Sequence, residues 1–200
     1  MIAAILLAAG ESKRMGAPKA LLEWGGGKLI EYQIAELKAA GVDDVVVVIG
    51  HCAHEVMMYV EKSGARSVFN ERYAEGRASS LRVGAAAVDD SAETIVVLGV
   101  DQPRPRELTA RLLREHAEHG ATITVPTFEG HRGHPPVLSG SLLPELREVR
   151  EESLGIRAVL ERHTSDVWEV PFDSDAVLLD VNDPQAYERA RTKFSQETAP

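Results

Sequence analysis

The sequence predicts an α/β protein, built as a three-layer α/β/α sandwich around a mainly parallel sheet. Short apolar runs, including Ile2–Leu7 and Asp44–Ile49, alternate with longer segments that have helical spacing. The connections between these runs are too long for hairpins, and long crossover connections join parallel strands. We therefore expect one Rossmann-like domain over residues 1–194, followed by a frayed polar tail at 195–200.

Each predicted strand is a short apolar or β-branched run that ends near a turn residue. Ile2–Leu7 carries no charge, and Asp44–Ile49 holds four consecutive valines before Gly50. Such runs are typical of strands buried on both faces of a parallel sheet. Further strands are predicted at 67–69, 94–100, 122–125 and 167–170, the last at a sheet edge, and 176–179 is another apolar run.

The predicted helices are indicated by apolar spacing and by residues that start or end helices. Residues 29–37 carry apolar side chains on one helical face, and Gly41 suits the position just after that helix. Asp183 and Pro184 suit the N-cap and first position of the last helix. The other helices are predicted at Ala53–Lys62, after Gly76, and at Arg106–His119, 142–150, 155–163 and 185–193.

Composition limits the kinds of partner that we expect. The 200 residues include 31 acidic and 22 basic side chains, a formal charge of −9, which argues against a nucleic acid partner. The sequence contains neither an apolar run of membrane-spanning length nor a secretory signal pattern, so we expect a cytoplasmic protein without a membrane partner. The single cysteine, Cys52, excludes an internal disulfide and fits a reducing compartment.

The loop after the first strand combines glycines with positive charge. Gly10 and Gly16 permit close backbone approach, while Lys13, Arg14 and Lys19 place cations in the same loop. Backbone N–H groups together with fixed cations form a cradle for phosphate. A small anionic ligand is therefore compatible with the acidic net charge, because the local field at this loop is positive.

Residue spacing excludes two common phosphate-binding motifs. A Walker loop needs two glycines separated by four residues, and Gly10 and Gly16 are one residue too far apart. A dinucleotide fingerprint needs three glycines that open a helix, whereas Pro18 interrupts this segment. An oxidoreductase that binds a dinucleotide is therefore disfavoured.

The same loop resembles the N-terminal signature of the MobA-like NTP transferase family, whose members move a nucleoside monophosphate from an NTP onto an acceptor. The matching residues are Leu7-Ala8-Ala9-Gly10, Ser12, Arg14-Met15-Gly16 and Pro18-Lys19. The resemblance extends from Ile2 to about Ala190, implies a fold of the nucleotide-diphospho-sugar transferase type, and is strongest to the molybdenum cofactor branch. It implies that the nucleotide is bound by Leu7, Ala8, Ala9, Gly10, Ser12, Arg14 and Lys19, and that Arg14 and Lys19 are also catalytic.

A second segment, residues 70–84, resembles the base-reading segment of that family. Gly76 precedes a helix whose first turn carries Ser79 and Ser80, and such a turn offers free N–H groups and hydroxyls. Simple N-capping would explain one serine but not both serines together with Asn70 and Gly76. The resemblance therefore implies nucleotide contacts from Asn70, Gly76, Ser79 and Ser80.

Two acidic residues suggest a site for Mg²⁺. Asp101 follows the strand at 94–100, at the edge of a parallel sheet where ligands bind. A carboxylate in this position is a natural ligand of Mg²⁺, although Asp101 could instead cap the next helix. Asp180 and Asn182 alternate at the end of an expected strand and should face the same side. We expect Asp101 and Asp180 to hold the metal, with Asp101 also contacting the nucleotide and acting in catalysis.

The loop at 126–136 is expected to face the acceptor. His131 and His134 could suggest a transition metal, but no further Cys or His lies close enough in sequence to complete a tetrahedral set. In the resembled family, a Gly-His-Pro segment lies near the acceptor. The resemblance therefore implies acceptor contacts from Gly133, His134 and Pro135, together with Gln102.

The resemblance to the molybdenum cofactor branch implies Mg²⁺-dependent transfer of CMP from CTP to the terminal phosphate of molybdopterin, with release of pyrophosphate. Ala9 favours CTP, because cytidylyl enzymes of this branch carry Leu-Ala-Ala-Gly and guanylyl enzymes tend to carry Leu-Ala-Gly-Gly. A guanylyltransferase acting on molybdopterin or another small phosphorylated acceptor remains an alternative, as does a non-enzymatic nucleotide-binding module. By resemblance, the partners would be a molybdenum-inserting enzyme or the chaperone of a molybdenum hydroxylase.

Overall fold

The computed structural model describes residues 1–150 and 155–197. Most of the described strands belong to one mixed sheet, and helices cover both of its faces. The strands are β1 (Ile2–Leu7), β2 (Glu23–Trp24), β3 (Gly27–Lys28), β4 (Asp44–Ile49), β5 (Arg66–Phe69), β6 (Thr94–Gly99), β7 (Ile123–Phe128), β8 (His131–Arg132), β9 (Val137–Ser139) and β10 (Val167–Pro171). The helices are α1 (Leu29–Ala39), α2 (Ala53–Lys62), α3 (Arg77–Ala87), α4 (Arg106–His119), α5 (Leu143–Arg147), α6 (Ile156–Arg162) and α7 (Pro184–Glu197).

The main sheet has the strand order β5-β4-β1-β6-β9-β7-β10, and β8 pairs with β7 outside this path. The first four strands in that order run parallel to one another, as do β7 and β10. β9 lies antiparallel between β6 and β7. β2 and β3 form a separate hairpin. The predicted fold class, an α/β sandwich with a mainly parallel Rossmann-like sheet, is confirmed.

Two hydrophobic layers pack against opposite faces of the sheet, as the alternation of side chains along a buried strand requires. In β1, Ala4 and Leu6 belong to one layer, while Ala3 and Ile5 belong to the other. The first layer is completed mainly by α1, α2, α4 and α7, and the second by α3, α5 and α6. Both ends of β1 are thereby fixed, and the loop that follows Leu7 starts from a rigid position.

The structure differs from the sequence-based expectation after β7. Residues 126–128, predicted as part of a loop, continue β7, and β8 and β9 were not predicted. β9 has only three residues and follows two prolines, so its sequence is too short to show strand periodicity. The expected strand end at 176–179 is wrong, because Asp175–Leu178 forms a 3-10 helix that buries Val177 and leaves Leu178 exposed.

The last helix begins as predicted and extends further than expected. Asp183 Oδ1 accepts a 2.8 Å hydrogen bond from the Ala186 backbone N–H, which confirms its capping role. α7 continues to Glu197, three residues into the segment predicted as a tail, and residues 198–200 lie outside the described part of the chain. Within residues 1–150 and 155–197, no helix has the length and apolar character needed to cross a bilayer.

The contact between α3 and β1 depends on a missing side chain at Gly84. A Cβ at this position would collide with the side chain of Ile5 and come within 2.9 Å of Val48 Cγ2. Gly84→Ala should therefore lower the free energy of unfolding by about 1–3 kcal/mol, since overpacking outweighs the better helix propensity of alanine. Urea denaturation measures the change. Ala86→Val, on the exposed face of α3, is the control, and a Gly84→Ala protein as stable as that control would contradict the close packing.

Candidate active site

A cleft of about 210 Å³ opens where β1 and β6 end, at the carboxyl edge of the parallel strands. Ligands of open α/β sheets bind at this edge. Most residues predicted to bind the nucleotide line this cleft, so the structure brings them together. The lining consists of Leu7, Ala8, Ala9, Gly10, Ser12, Pro18, Lys19, Ala20, Tyr73, Gly76, Arg77, Ser80, Val100 and Asp101.

Ser12 shapes the loop between β1 and Lys19. It adopts a φ of +53°, and its carbonyl oxygen accepts a 2.8 Å hydrogen bond from the Met15 N–H. Its hydroxyl oxygen accepts a second bond, 3.2 Å long, from the Lys19 backbone N–H. The serine thus closes the loop on itself, and the start of the 3-10 helix Lys19–Leu21 is fixed beside the cleft.

The Lys19 ammonium group connects two distant parts of the chain. Its Nζ lies 2.9 Å from Asp101 Oδ2 and 2.9 Å from Asn182 Oδ1. The side chains of Lys19 and Asp101 are only 13% and 18% exposed, so solvent screens this ion pair less than a surface pair. Lys19 is thereby held with its charge in the cleft, where a phosphate would be attracted to it.

The segment after the 3-10 helix Asp175–Leu178 reaches the same corner without forming a strand. The Val181 N–H donates a 2.7 Å bond to the Asp101 carbonyl oxygen. The two residues that flank Val181 are also bonded: Asp180 Oδ1 accepts a 2.9 Å bond from Gln102 Nε2, and Asn182 Oδ1 accepts one from Lys19 Nζ. The strand assumed for this region was wrong, yet Asp180 and Asn182 both reach the loop that carries Asp101.

The oxygen donors at this corner fit a hard divalent cation. Asp101 and Asp180 supply carboxylates and Asn182 supplies an amide oxygen, which are ligand types that Mg²⁺ accepts. In the described part of the chain, no group of three or more His, Cys, Asp or Glu side chains is arranged to hold a metal ion. The pairing of Asp101 and Asp180 on one metal stays a prediction.

The segment predicted to read the base has a clear structural role. Asn70 is buried, and its side-chain amide donates to the Ser79 and Ser80 hydroxyl oxygens at 2.9 and 3.0 Å. The Ser79 hydroxyl in turn donates to the Gly76 carbonyl oxygen at 3.0 Å. Gly76 and Ser80 line the cleft, whereas Asn70 and Ser79 lie behind it and fix the start of α3. Their predicted contacts with the nucleotide stay predictions.

Arg77 is a cleft residue that the sequence analysis missed. The absence of a side chain at Gly99 leaves room for it, because a Cβ there would collide with Asp101 and lie 3.0 Å from Arg77 Nη2 and 3.2 Å from Gln102 Oε1. The signal in the sequence was a cation directly after Gly76, at the first position of a helix. Arg77 lines both the cleft and a neighbouring cavity.

Arg104 is a second missed residue, and it acts from beneath the site. It is 1% exposed, and its guanidinium donates to the carbonyl oxygens of Pro103, His134, Val177 and Leu179 at 2.8–3.0 Å. Burial lowers the pKa of Arg104 to about 10, against the opposing effect of Asp180 and Asp101, so the group stays charged at neutral pH. This cation joins three loops of the site.

A second cavity of about 330 Å³ lies beside the cleft and shares Leu7 and Arg77 with it. Gln102 and His134, two of the residues predicted to bind the acceptor, line this cavity. Gly133 and Pro135 do not, and a Cβ at Gly133 would collide with the Val177 carbonyl group. The lining consists of Leu7, Arg77, Ala78, Leu81, Val97, Gly99, Gln102, His134, Pro136, Gly155, Ile156 and Arg157.

Arg14 lies apart from the residues that line the cleft. Its side chain is exposed in the loop, as is that of Lys13, whose Nζ is 2.7 Å from Glu11 Oε2. The cations of this loop are therefore not equivalent, since Lys19 alone of the three lines the cleft. The catalytic role predicted for Arg14 stays a prediction.

The fold and this cleft define a nucleotide-binding α/β enzyme of the nucleotidyltransferase class. The chain belongs to the MobA-like NTP transferase family, whose domain model matches residues 4–167. The resemblance of the opening loop to this family is thereby confirmed.

Three known proteins are similar to this chain in sequence or in structure. Nicotine blue oxidoreductase from Paenarthrobacter nicotinovorans is 32% identical over 170 residues, which cover 80% of this chain and 82% of that protein. A nucleotidyl transferase from Methanothermobacter thermautotroptrophicus superposes with a TM-score of 0.83 at 26% identity and 99% coverage of both chains. Rv0371c from Mycobacterium tuberculosis, solved in complex with manganese, has a TM-score of 0.76 at 28% identity, covering 96% of this chain and 97% of that one.

The half-buried His134 of the second cavity should make the protein acid-sensitive. Burial lowers the pKa of His134 below its ordinary value of 6.5, so below that pH the unfolded state binds more protons than the folded state. The free energy of unfolding should therefore fall as the pH drops from 7 to 5, and His134→Asn should reduce this dependence. Urea denaturation at several pH values measures it, with exposed His131→Asn as control; identical pH profiles for both variants would refute the prediction.

Proposed function

We propose that the protein transfers CMP from CTP to the terminal phosphate of a molybdopterin-type acceptor, with release of pyrophosphate. The observation that carries the proposal is the Lys19–Asp101 pair, held in a cleft that shares Leu7 and Arg77 with a second cavity. Transfer between two phosphorylated substrates needs adjacent sites for both, and it asks the protein mainly for positioning and charge stabilisation.

In this proposal, the nucleotide lies along the loop at 8–19. Lys19 binds the triphosphate, and its charge stabilises the negative charge that develops as pyrophosphate leaves. Backbone N–H groups of the loop add hydrogen bonds to the phosphates. Asp101, Asp180 and Asn182 would hold Mg²⁺, which when bound neutralises phosphate charge. No side-chain nucleophile is required, because the acceptor phosphate itself attacks.

The second cavity supports a phosphorylated acceptor with an apolar or planar body. Arg77 and Arg157 line it, Arg157 Nε donating a 2.8 Å bond to Glu161 Oε1, and the described lining residues themselves include no Asp or Glu. Burial keeps the pKa of His134 low, so this residue is neutral near pH 7 and serves as a hydrogen-bonding group. Leu81, Val97 and other apolar residues form the rest of the wall. We place the acceptor phosphate at Arg77, the residue that borders the nucleotide cleft.

The choice of CTP rests on the resemblance of Leu7-Ala8-Ala9-Gly10 to the Leu-Ala-Ala-Gly segment of cytidylyl enzymes. Ala9 is buried, and it packs beside Gly50, where an added Cβ would come within 2.9 Å of the Ala9 side chain and 2.6 Å of Tyr73 Cβ. Tyr73 lines the cleft and offers an aromatic face to a base. A guanylyltransferase with the same acceptor is the nearest alternative. The product would pass to a molybdenum-inserting enzyme or to the chaperone of a molybdenum hydroxylase.

A redox function is the second candidate, because the relative from Paenarthrobacter nicotinovorans is named an oxidoreductase. The first loop of this chain has no three-glycine dinucleotide fingerprint, and its cleft contains a Lys–Asp pair suited to phosphate chemistry. These features favour transfer over redox chemistry. Incubation with NADH or NADPH and a quinoid dye, followed at 340 nm, tests the alternative.

The proposed reaction should appear in a coupled pyrophosphate assay with the four NTPs, Mg²⁺ and molybdopterin. We expect CTP to give the highest kcat/KM and no release without acceptor above a low background. Asp101→Asn serves as the inactive control, with circular dichroism to show that it folds. Faster turnover with GTP would replace the cytidylyl assignment by the guanylyl one. Absence of turnover with every NTP, despite nucleotide binding, would favour a non-enzymatic module.

The two lysines of the opening loop provide a matched pair of substitutions. Lys19→Ala removes the cation that lies in the cleft, and we expect kcat/KM to fall about 100- to 1,000-fold, as for other preorganised electrostatic groups. Lys13→Ala removes an exposed cation that pairs with Glu11, and we expect a change of less than about threefold. Steady-state kinetics compare both with wild type. Equal effects of the two substitutions would mean that Lys19 contributes only general positive charge.

A further inference from the structure

A third cavity of about 370 Å³ lies behind the active-site loops and shares no lining residue with the other two. This volume is within the range of small-molecule sites. The walls combine aromatic rings, prolines and aliphatic side chains with three charged residues. They consist of Trp24, Tyr32, Pro103, Pro105, Glu107, Asp175, Ala176, Leu179, Ala190, Lys193 and Phe194.

One side of the cavity is an aromatic cluster centred on Trp24. The Trp24 ring centroid lies 5.1 Å from that of Phe194, 6.0 Å from Tyr32 and 6.4 Å from Tyr187. The Tyr187 hydroxyl donates a 2.7 Å bond to the Glu23 carbonyl oxygen, which fastens the β2–β3 hairpin onto α7. Trp24, Tyr32 and Phe194 of this cluster line the cavity, so a planar aromatic ligand there would meet aromatic rings.

The Trp24 indole nitrogen is unusual within the described part of the chain. It is buried and has no hydrogen-bond partner there, although buried polar groups in proteins are nearly always paired. A ligand acceptor that reached this N–H would supply a bond that the free protein lacks. Because the nitrogen is covered, the rings around it must shift for the bond to form.

The charges at the cavity select against anions. Glu107 and Asp175 both line it, and the Lys193 ammonium group is already paired with Asp175. A nucleotide or other phosphate would meet more negative than positive charge here. An uncharged planar ring system with one hydrogen-bond acceptor is the chemical class that the walls accommodate.

The cavity wall is also the back of the active-site loops. Pro103 lies two residues after Asp101, and Leu179 lies directly before Asp180. The carbonyl oxygens of both wall residues accept hydrogen bonds from Arg104 Nη1, at 3.0 and 2.8 Å. Movement of either wall residue is therefore transmitted to the loops that carry the two carboxylates.

We propose that this cavity is an effector site for a planar, uncharged aromatic molecule, and that its occupancy changes the geometry of the Asp101 and Asp180 loops. The binding part of the proposal stands without the proposed function. The effect on turnover rests on that function, so binding and loop geometry are measured independently of activity.

Quinoline, a neutral planar ring with one acceptor nitrogen, is the probe. In ¹⁵N-labelled protein carrying Trp168→Phe, the remaining indole N–H signal belongs to Trp24, and we expect a saturable downfield shift on titration. The side-chain amide signal of Gln102, which donates to Asp180, should shift with the same dissociation constant. CTP should not compete with quinoline. An unshifted Trp24 signal up to the solubility limit of quinoline would overturn the site.

Substitutions at and away from the cavity complete the test. Ala176→Phe fills the cavity from its wall and should weaken quinoline binding at least tenfold, with Ala176→Ile as a smaller filler if the first variant does not fold. Arg189→Phe, on the exposed side of α7, adds the same ring elsewhere and should leave the affinity unchanged. Saturating quinoline should change kcat/KM for pyrophosphate release at least twofold. If the Trp24 signal shifts while the Gln102 signal and kcat/KM stay unchanged, the effector role is overturned. An enzyme that is inactive with all NTPs refutes only the proposed function.

Discussion

The buried guanidinium of Arg104 is the interaction on which the geometry of the site depends. A charged group that is removed from water must find hydrogen-bond acceptors inside the protein, and this one finds four backbone carbonyl groups. Those carbonyls belong to the loop after β6, to the His134 loop and to the segment before Asp180. At that point single backbone hydrogen bonds, such as those from the His134 N–H to Val177 and from the Val181 N–H to Asp101, join these segments, and the bonds from Arg104 add to them where no strand pairing exists. Its loss would leave several buried carbonyls unpaired, each costing about 1–3 kcal/mol.

The same arrangement shows how a protein with an acidic net charge concentrates positive charge at its cleft. The net charge of −9 belongs to the whole surface, whereas the described cleft and second cavity contain Lys19, Arg77 and Arg157. Arg104 adds a fourth positive charge beneath them. It lies close enough to Asp101 and Asp180 for these carboxylates to oppose the lowering of its pKa by burial. The carboxylates therefore balance buried and half-buried cations, and the positive field is confined to the place where phosphates would lie.

Much of the fold could be predicted because its signals are local. β1, β4, α2 and α4 have the bounds that their sequences indicated, since each is a continuous apolar run or an amphipathic segment with a clear end. β9 could not be predicted, because three residues inserted antiparallel between β6 and β7 are defined by their partners and not by their own pattern. The 3-10 helix Asp175–Leu178 was wrongly predicted as a strand, because its conformation also depends on contacts with distant residues. Its apolar residues suggested burial, but the Val177 carbonyl oxygen accepts hydrogen bonds from Arg104 Nη2 and from the His134 N–H instead of from a neighbouring strand.

The site shows the same division between local and long-range information. Residues 7–19 and Asp101 were found because a motif or a strand end marks them in the sequence. Asn182 was noticed only as a neighbour of Asp180, and nothing near it in sequence indicates that its amide oxygen lies 2.9 Å from Lys19, which is 163 residues away. In the sequence Arg77 and Arg104 look like ordinary surface arginines, whereas in the structure Arg77 Nη2 lies beside Gly99 and Asp101, and Arg104 is buried among backbone carbonyl groups. Sequence reasoning therefore located the loop that lines the cleft, whereas the contacts that orient Lys19 and Asp101 become visible only once the sheet has brought both ends of the chain together.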